Sequence, residues 1–296
     1  MDAKVLVLAF DGMDHELINK FGLTAITQEE FGKIDNKSNM SSIKTSELFA
    51  SFITGANYES HGVRGLETTV DKKKLLDSVF PKLLMDNLKG AYRLKEVLSA
   101  ALGNYKGKRY SKEDLKGVTI FEKIENSRAM FVPAYNPSVF WAVGAEAMPL
   151  GKGYSKEETV NYYDSREFSY RKEELMSELG NEILGSRDLL MCHIHRLDMY
   201  QHLFGDEEVH YDETKLKRLY LELDDLANEI QEAALKSGYD YVIFMSDHGL
   251  PTEEGHNENA FYSCNKELFG DETPHITDFH DKILALTGNE EKIEAD

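Results

Sequence analysis

The amino-acid sequence predicts an α/β protein, a three-layer sandwich in which a mostly parallel central sheet has helices on both faces. Two observations predict this fold class. Short apolar runs alternate along the chain with longer polar segments that have helical periodicity. The first of these runs, Val5–Phe10, is apolar at every position, as in a parallel strand that is covered on both faces. With 296 residues, 41% of them hydrophobic, the chain can fill one large core, and we expect a single domain over residues 1–296.

Four apolar runs are the predicted strands: Val5–Phe10 and residues 130–132, 188–195 and 239–246. Between them, residues 156–184 and 211–236 have the spacing of amphipathic helices. In the second of these segments the apolar residues form one stripe, which predicts packing against the sheet. The stripe consists of Leu216, Leu219, Tyr220, Leu223, Leu226, Ile230 and Ala234.

One segment has a different charge from the rest of the chain. Residues 72–112 contain 11 Lys or Arg and 3 acidic residues, a net charge of +8, while the remainder carries −27. Leucines at helical spacing within the segment favour amphipathic helices over a disordered tail. We therefore predict a small basic helical insertion or cap over residues 66–112 of the α/β core.

Composition excludes some classes of protein. The net charge of −19 argues against a protein that coats nucleic acid or anionic membrane over its whole surface. Two cysteines, Cys192 and Cys264, cannot form a disulfide framework and are expected to be buried thiols. No window approaches the roughly 20 apolar residues of a membrane span, and the first apolar run is too short for a signal peptide. The expected compartment is the cytoplasm.

Residues that can bind a metal follow the ends of three predicted strands. Asp11 follows the first, and Asp247 and His248 follow the last. Asp198 and His202 come after the third strand, at an i, i+4 spacing that suits either a shared cation or an ordinary surface pair. Because ligands bind beyond the carboxyl ends of strands in open α/β sheets, we expect these side chains to converge.

The loop after the last strand adds two features. Gly249 is expected to permit unusual backbone angles after His248. His256 lies in a polar loop that precedes a predicted strand at residues 259–263, while His275 and His280 are alternatives farther along the chain. Carboxylates and imidazoles suit Zn²⁺, and also Mn²⁺ or Fe. Since the set contains no cysteine, it favours a catalytic pair of metal ions over a structural zinc site.

Thr45 stands at the start of a short apolar helix that is predicted over residues 45–53 and ends at Thr54 and Gly55. A hydroxyl at this place is commonly an N-cap. The alternative is a nucleophile, because a helix N-terminus favours negative charge and a metal would lower the pKa of the hydroxyl. The residue types alone leave both interpretations open.

Taken in order, the motifs resemble a known family. They are Ala9-Phe10-Asp11-Gly12, Lys44-Thr45 with Thr54-Gly55, Glu59-Ser60-His61-Gly62-Val63, Asp198 with His202, Ser246-Asp247-His248-Gly249, and His256. Together they resemble the alkaline phosphatase superfamily, specifically its type I phosphodiesterase/nucleotide pyrophosphatase branch. The resemblance implies an alkaline-phosphatase-like fold. It also implies a metal-dependent phosphodiesterase that uses two divalent ions, zinc above all.

The resemblance further implies a role for each matched residue. Thr45 is similar to the nucleophile that attacks phosphorus and is transiently phosphorylated, and His61 is similar to a structural histidine of the family. Asp198, His202 and His256 resemble the ligands of one zinc ion, and Asp11, Asp247, His248 and the Thr45 oxygen resemble those of a second.

The chain departs from the family pattern just after Thr45. Many relatives have Pro and Asn at the positions that Glu47 and Leu48 occupy here. The Asn commonly donates a hydrogen bond to phosphate, which Leu48 cannot do, so a nucleotide-pyrophosphatase-like substrate pose is in question. Lys44, or a group of the basic segment, is the hypothetical replacement. The expected substrate is a small phosphate ester, with a nucleotide or an oligonucleotide end as candidates.

Several alternatives remain at this stage. On the same fold, the chain could be a phosphomonoesterase, a phosphonate hydrolase or a phosphosugar mutase. A haloacid-dehalogenase-like phosphatase is disfavoured, because its two Asp are separated by one residue, whereas two residues separate Asp11 from Asp14. A non-catalytic binding module that uses residues 72–112 is disfavoured by the complete ligand set. His193 and His195 lie in a predicted strand and are expected to pack or form hydrogen bonds, with His195 a candidate neighbour of the ligands.

Overall fold

The computed structural model describes residues 2–65, 68, 109–138, 153–181, 185–205, 212–253 and 255–289. Residues 72–108 of the basic segment, and with them most of the predicted insertion over residues 66–112, lie outside the described residues. The same holds for residues 182–184, at the end of one predicted helix, and for residue 211, at the start of the other.

The strands are β1 (Val5–Phe10), β2 (Glu30–Lys33), β3 (Ser127–Met130), β4 (Leu189–Ile194), β5 (Tyr241–Met245), β6 (Pro251–Thr252), β7 (Gly255–His256) and β8 (Phe261–Cys264). The helices are α1 (His15–Phe21), α2 (Thr45–Thr54), α3 (Tyr58–His61), α4 (Ile120–Lys123), α5 (Lys156–Tyr163), α6 (Ser169–Leu179), α7 (Arg196–Phe204), α8 (Glu213–Lys236) and α9 (Asp278–Leu286). A 3-10 turn covers Lys112–Asp114, and a π-helical turn over Asp164–Phe168 joins α5 to α6.

Six of the described strands form one sheet in the order β2-β8-β5-β1-β4-β3. The neighbours β3, β4, β1 and β5 are parallel to one another, and β8 is antiparallel to both β5 and β2. The central strand β1 is fully buried, as its unbroken apolar run predicts. The sheet is therefore mostly parallel, and its carboxyl ends gather at one edge.

Alternate residues of the strands pack into two apolar layers, one on each face of the sheet. Leu6, Leu8 and Phe10 of β1 face a layer that includes α1, α6, α7 and α8. Val5, Val7 and Ala9 face the opposite layer, which includes α2, α4 and α9. The stripe predicted on α8 is buried at all seven positions. The predicted three-layer α/β sandwich with a mostly parallel sheet is confirmed.

Two predicted elements differ from those observed. The strand predicted over residues 130–132 lies at Ser127–Met130 instead, because Phe131 has a φ of 61° and leaves the extended conformation. The single helix predicted from residue 156 is divided by the π-helical turn into α5 and α6. The strands predicted over residues 188–195 and 239–246 are confirmed with slightly shorter bounds.

Other predictions concern the interior and the membrane. Cys192 and Cys264 are both buried as predicted, and burial raises the pKa of the Cys192 thiol to about 12. Among the described helices, none combines the length and the apolar character that crossing a membrane requires.

Candidate active site

The site lies where β1, β4 and β5 end at the same edge of the sheet. In the parallel register Ala9 of β1 pairs with His193 of β4 and with Met245 of β5, so the residues that follow these strands are close in space. Asp11 and Asp247 follow their strands directly and are buried. The structure thus brings together side chains that are more than 200 positions apart in the sequence.

Gly12 allows the turn after β1 to approach α7. Its φ is 73°, and a Cβ at this position would lie 2.9 Å from Gln201 Oε1 and 3.1 Å from Asp198 Cβ. The Gln201 amide donates a hydrogen bond to the Gly12 carbonyl at 3.0 Å. A side chain at Gly12 would therefore push Asp11 away from Asp198.

Asp198 and His202 share one face of α7, as their i, i+4 spacing predicts. His202 Nε2 lies 3.3 Å from Asp198 Oδ1. Asp198 is buried, whereas 52% of the His202 side chain is exposed, so this end of the cluster opens to solvent. His202 Nε2 also lies 3.1 Å from His256 Nε2, and His256 Nε2 is 3.6 Å from Asp198 Oδ1. These three predicted ligands meet at one point.

Asp11, Asp247 and His248 form the inner part of the cluster. His248 Nε2 lies 3.3 Å from Asp11 Oδ1 and 3.2 Å from Asp247 Oδ2. Thr45 Oγ1 lies 3.1 Å from the same nitrogen and is buried at the start of α2. The stacked rings of His248 and His256, with centroids 3.7 Å apart, connect the inner group to the outer one.

Backbone carbonyls determine the tautomers of these two histidines. His248 Nδ1 lies 2.9 Å from the Gly249 carbonyl, and His256 Nδ1 lies 3.2 Å from the Ile43 carbonyl. A carbonyl accepts only, so each Nδ1 carries the proton and donates. When either ring is neutral, its Nε2 therefore keeps the lone pair and faces the carboxylates, as a metal ligand requires.

A clasp of polar side chains connects the loop of His256 to the start of α1. Asp14 Oδ1 caps α1 by accepting from the backbone N–H of Glu16. Its other oxygen accepts from the amides of Asn257 at 2.9 Å and Asn259 at 3.1 Å. Since Asp14 follows Asp11 by three residues, this clasp determines the distance between the β1 turn and β7.

Gly249 has a different role from the one predicted. Its φ does not lie in the left-handed region. Glycine is required because a Cβ would clash with Asn257 Oδ1 and Asp14 Oδ2, both part of the clasp. The prediction of unusual backbone angles is wrong, and close packing is the reason for the glycine.

The start of α2 also resolves the capping question. The N-cap is Lys44, which forms no side-chain capping hydrogen bond, and Thr45 is the first helical residue. Its hydroxyl contacts His248 rather than the helix backbone, so the simple capping interpretation is wrong. Helix α2 ends in the left-handed Gly55, as predicted.

Glu47 and Leu48, the two departures from the family pattern, are both buried. Glu47 accepts hydrogen bonds from the backbone N–H groups of Ser41, Ser42 and Gly65, and so organises the loop before Thr45. Leu48 is fully buried in the apolar layer and has no polar group to offer a substrate. This pair supports the position of Thr45 and provides no phosphate contact.

Lys44 lies at the rim of the site. Its Nζ would be 3.0 Å from a Cβ at Gly255, the residue before His256, and its side chain is partly exposed. The other histidine candidates lie elsewhere, since His275 contacts the Ser38 carbonyl and His280 packs against Gly55. His256, by contrast, lies beside Asp198 and stacks on His248.

His193 and His195 lie closer to the site than their position in a strand predicts. His193 Nε2 lies 3.1 Å from Asp11 Oδ2. His195 Nε2 lies 3.1 Å from Asp198 Oδ2 and 3.7 Å from Asp11 Oδ2, so it bridges the two carboxylates. The signal for both was present, because polar residues at the carboxyl end of an otherwise apolar strand face a site more often than a core.

The buried carboxylates shift the pKa values of one another and of the neighbouring imidazoles. Burial and the neighbouring Asp11 raise the pKa of Asp247 to about 8. Burial lowers the pKa of His248, but the carboxylates of Asp247 and Asp11 outweigh it and raise the pKa to about 10. Burial, and then the nearby His248, lower the pKa of His256 to about 3. The inner group thus favours additional positive charge, while His256 is neutral at pH 7.

The donor set fits divalent cations. Asp11 Oδ1, Asp198 Oδ1 and both Asp247 oxygens are buried, and within the described part of the chain they have no hydrogen-bond donor. Buried carboxylate oxygens are normally paired or bind metal, so these atoms are available to a cation. Three overlapping groups bring one ligand atom per residue within 4.8 Å of one another: Asp198, His248 and His256; Asp11, Asp247 and His248; and Asp11, His195 and Asp198. His248 belongs to two of these groups, and His195, which was not among the predicted ligands, belongs to one.

Comparison with known proteins identifies the class to which this fold and site belong. The family model of type I phosphodiesterase/nucleotide pyrophosphatase matches residues 5–272. The chain belongs to this family of phosphoester hydrolases, and the resemblance inferred from the motifs is confirmed. A search of curated proteins finds no match.

Several solved structures are similar to the chain. Murine ectonucleotide pyrophosphatase/phosphodiesterase 5 is 15% identical over 83% of this chain and 57% of that chain, with a TM-score of 0.46. An inactive variant of that murine protein, in complex with AMP, is 14% identical over 84% and 57%, with a TM-score of 0.47. Alkaline phosphatase from the Antarctic bacterium TAB5 is 12% identical over 97% and 99%, with a TM-score of 0.47. The present chain therefore spans a little over half of the murine chain.

Proposed function

We propose that the protein is a metal-dependent phosphodiesterase or nucleotide-pyrophosphatase-like hydrolase with Thr45 as its nucleophile. The observation that carries this proposal is the contact of the Thr45 hydroxyl, at the start of α2, with a buried cluster of carboxylates and imidazoles. Two divalent ions, zinc in the first place and Mn²⁺ or Fe as alternatives, are the proposed cofactors. Asp198, His202 and His256 would hold one ion, and Asp11, Asp247, His248 and Thr45 the other.

In this proposal Thr45 attacks the phosphorus atom of a phosphate ester and displaces the alcohol. When bound, the ions lower the pKa of the attacking hydroxyl and stabilise the negative charge of the leaving oxygen. The phospho-threonine is then hydrolysed by water from the opposite side. The N-terminus of α2 contributes a partial positive charge at the phosphate, and Lys44 at the rim is the proposed substrate contact.

The substrate is proposed to be a small phosphate ester, with a nucleotide or an oligonucleotide end as candidates. Leu48 provides no amide for phosphate, so the pose of the substrate is expected to depend on other groups, Lys44 among them. A panel of bis-p-nitrophenyl phosphate, p-nitrophenyl phosphate and a nucleotide ester, assayed with Zn²⁺ and Mn²⁺, distinguishes diesterase from monoesterase activity. Unchanged turnover by Lys44→Ala would contradict the role of Lys44.

Substitution of the nucleophile tests the central claim. Thr45→Ala should retain cation binding, measured by calorimetric titration, and lose turnover of bis-p-nitrophenyl phosphate by about 10³-fold or more. Thr45→Ser is the matched variant and should keep measurable activity, because it retains a hydroxyl. Full activity of Thr45→Ala would show that the nucleophile is wrong, and a parent protein without bound metal or turnover would refute the proposed function.

A further inference from the structure

Arg171 of α6 is a buried cation whose donors are all used. Only 1% of the residue is exposed. Its Nε and Nη2 donate to Glu167 Oε1, and Nη2 donates in addition to Ser138 Oγ at 3.0 Å. Its Nη1 donates to the His193 carbonyl at 2.7 Å and contacts His193 Nδ1 at 3.1 Å. A guanidinium has five N–H groups, and each of them has an acceptor here.

The contact with His193 Nδ1 determines where the proton of that ring lies. A guanidinium only donates, so Nδ1 must accept and carries no proton. The proton of the neutral ring is therefore on Nε2, which lies 3.1 Å from Asp11 Oδ2. The carboxylate accepts this hydrogen bond, and the two bonds of His193 agree on one tautomer.

Glu167 holds Arg171 in place from within the π-helical turn. The two residues are four positions apart and almost fully buried as an ion pair. The π-helical turn over Asp164–Phe168 gives this segment a wider turn than the α-helices on either side, and it is here that Glu167 lies. Such turns occur frequently at functional sites. The chain from Glu167 through Arg171 and His193 thus ends on the carboxylate of Asp11.

We propose that Arg171 is a positioning residue that acts through His193 on Asp11. It holds His193 as the Nε2–H tautomer, and His193 in turn binds Asp11 Oδ2 and orients the carboxylate. Asp11 Oδ1, which finds no hydrogen-bond donor among the described residues, is thereby directed to the proposed cation site. The inference rests on the proposed function, because the orientation of Asp11 matters only if Asp11 is a ligand.

The tautomer is measured on the metal-free protein. Long-range ¹H–¹⁵N correlation spectra of histidine-labelled protein distinguish the two neutral tautomers, and His193→Gln identifies the His193 signals by their absence. The parent should show His193 as the Nε2–H form. Arg171→Met alone leaves Glu167 buried and unpaired, so the variant for comparison carries Arg171→Met together with Glu167→Leu. The variant with both substitutions should show a mixture of the two neutral tautomers of His193. An Nδ1–H form of His193 in the parent would overturn the inference.

Cation affinity tests whether Arg171 acts through His193. Loss of a residue that orients a metal ligand typically weakens binding by about 10–100-fold, and we expect a loss in this range for the double substitution, measured by Zn²⁺ and Mn²⁺ titration. In a His193→Gln background the same double substitution should weaken cation binding by less than about twofold, since the contact between Arg171 and His193 is already absent. Equal losses in both backgrounds would overturn the inference, because they would indicate a general structural effect.

Arg187→Met is the matched control. Arg187 also pairs with a glutamate of α6, Glu178, but it does not contact His193. This variant should bind the cations as the parent does and keep the parent tautomer, and an equal loss of affinity would count against the inference. A parent that binds neither cation would refute the proposed function, and the tautomer spectrum would still decide the role of Arg171.

Discussion

At the scale of single residues, the hydrogen bond on one ring nitrogen determines what the other nitrogen can do. His248 and His256 donate through Nδ1 to backbone carbonyls, so in the neutral ring Nε2 keeps its lone pair and faces the carboxylates. His193 has the reverse arrangement, because Arg171 donates to its Nδ1 and its Nε2 therefore donates to Asp11. The same side chain can thus serve as a ligand at two positions and as a hydrogen-bond donor at a third.

His61 gives a prediction for the effect of pH on stability. The ring is fully buried, its Nδ1 accepts from the Val63 N–H at 3.1 Å, and its Nε2 lies 2.9 Å from Ser51 Oγ. Burial lowers its pKa to about 4. Below about pH 6.5 the unfolded chain binds a proton that the folded protein does not bind until about pH 4, so stability falls as pH falls through this range.

We expect His61 to remove about 2 kcal/mol of stability between about pH 7.5 and about pH 5. Urea denaturation measures the free energy of unfolding of the parent and of His61→Gln at both pH values. The contribution of His61 is the difference between the stability that the two proteins lose on acidification. Glutamine keeps a donor and an acceptor but does not titrate. If both proteins lose the same stability on acidification, then His61 is not a buried neutral histidine.

At the scale of the elements, the turn after β5 is closely packed against the clasp of Asp14 and Asn257. We expect Gly249→Ala to displace this turn and weaken cation binding, because His248 is its neighbour in the chain. Overpacking of this kind typically costs about 1–3 kcal/mol of stability. Thermal unfolding and Mn²⁺ titration measure the two effects.

Gly180→Ala is the control for Gly249→Ala. Gly180 follows α6 with a φ of −83°, and among the residues that the structure describes a Cβ would meet the Met176 carbonyl alone, at 3.3 Å. This variant should change stability little and leave cation binding intact. Parent-like cation binding by Gly249→Ala would mean that the turn can shift without moving His248.

Sequence patterns identified the buried strands and the amphipathic helices. They did not identify elements whose structure is determined by tertiary contacts. The runs of β1 and β5 and the stripe of α8 are visible because burial imposes apolar residues at fixed spacing. Strand β2 has the sequence EFGK and was not predicted, since its pairing with β8 determines it rather than its composition. The π-helical turn likewise has no signal in local sequence.

The sequence predicts those residues of the site that directly follow a buried strand. Asp11, Asp247 and His248 follow buried strands directly, and their convergence comes from the topology of a parallel sheet. The contacts of His193 and His195 depend on the register of β1 against β4, and that of Arg171 depends on the packing of α6. The place of both histidines at the end of an apolar strand was a signal in the sequence, and His195 was a candidate neighbour of the ligands, but no spacing encodes the contact of Arg171.

At the scale of the whole molecule, cation binding should be coupled to folding. The proposed ligands come from the turn after β1, from α2, from α7, from the turn after β5 and from β7, and only the folded chain brings them together. One occupied site adds about 2.7 kcal/mol at a cation concentration of about 100 times Kd. For a chain of 296 residues that corresponds to a rise of about 4 °C in Tm.

Scanning calorimetry with chelator and with added Zn²⁺ or Mn²⁺ measures this shift. Asp247→Asn should lose most of it, because both Asp247 oxygens are buried and find no hydrogen-bond donor among the described residues, and an amide offers a bound cation no negative charge. Lys20→Ala removes an exposed ion pair with Glu213 and should respond to cations like the parent. An identical Tm with and without cation would show that the cluster of carboxylates and imidazoles is not a metal site, whatever the family to which the chain belongs.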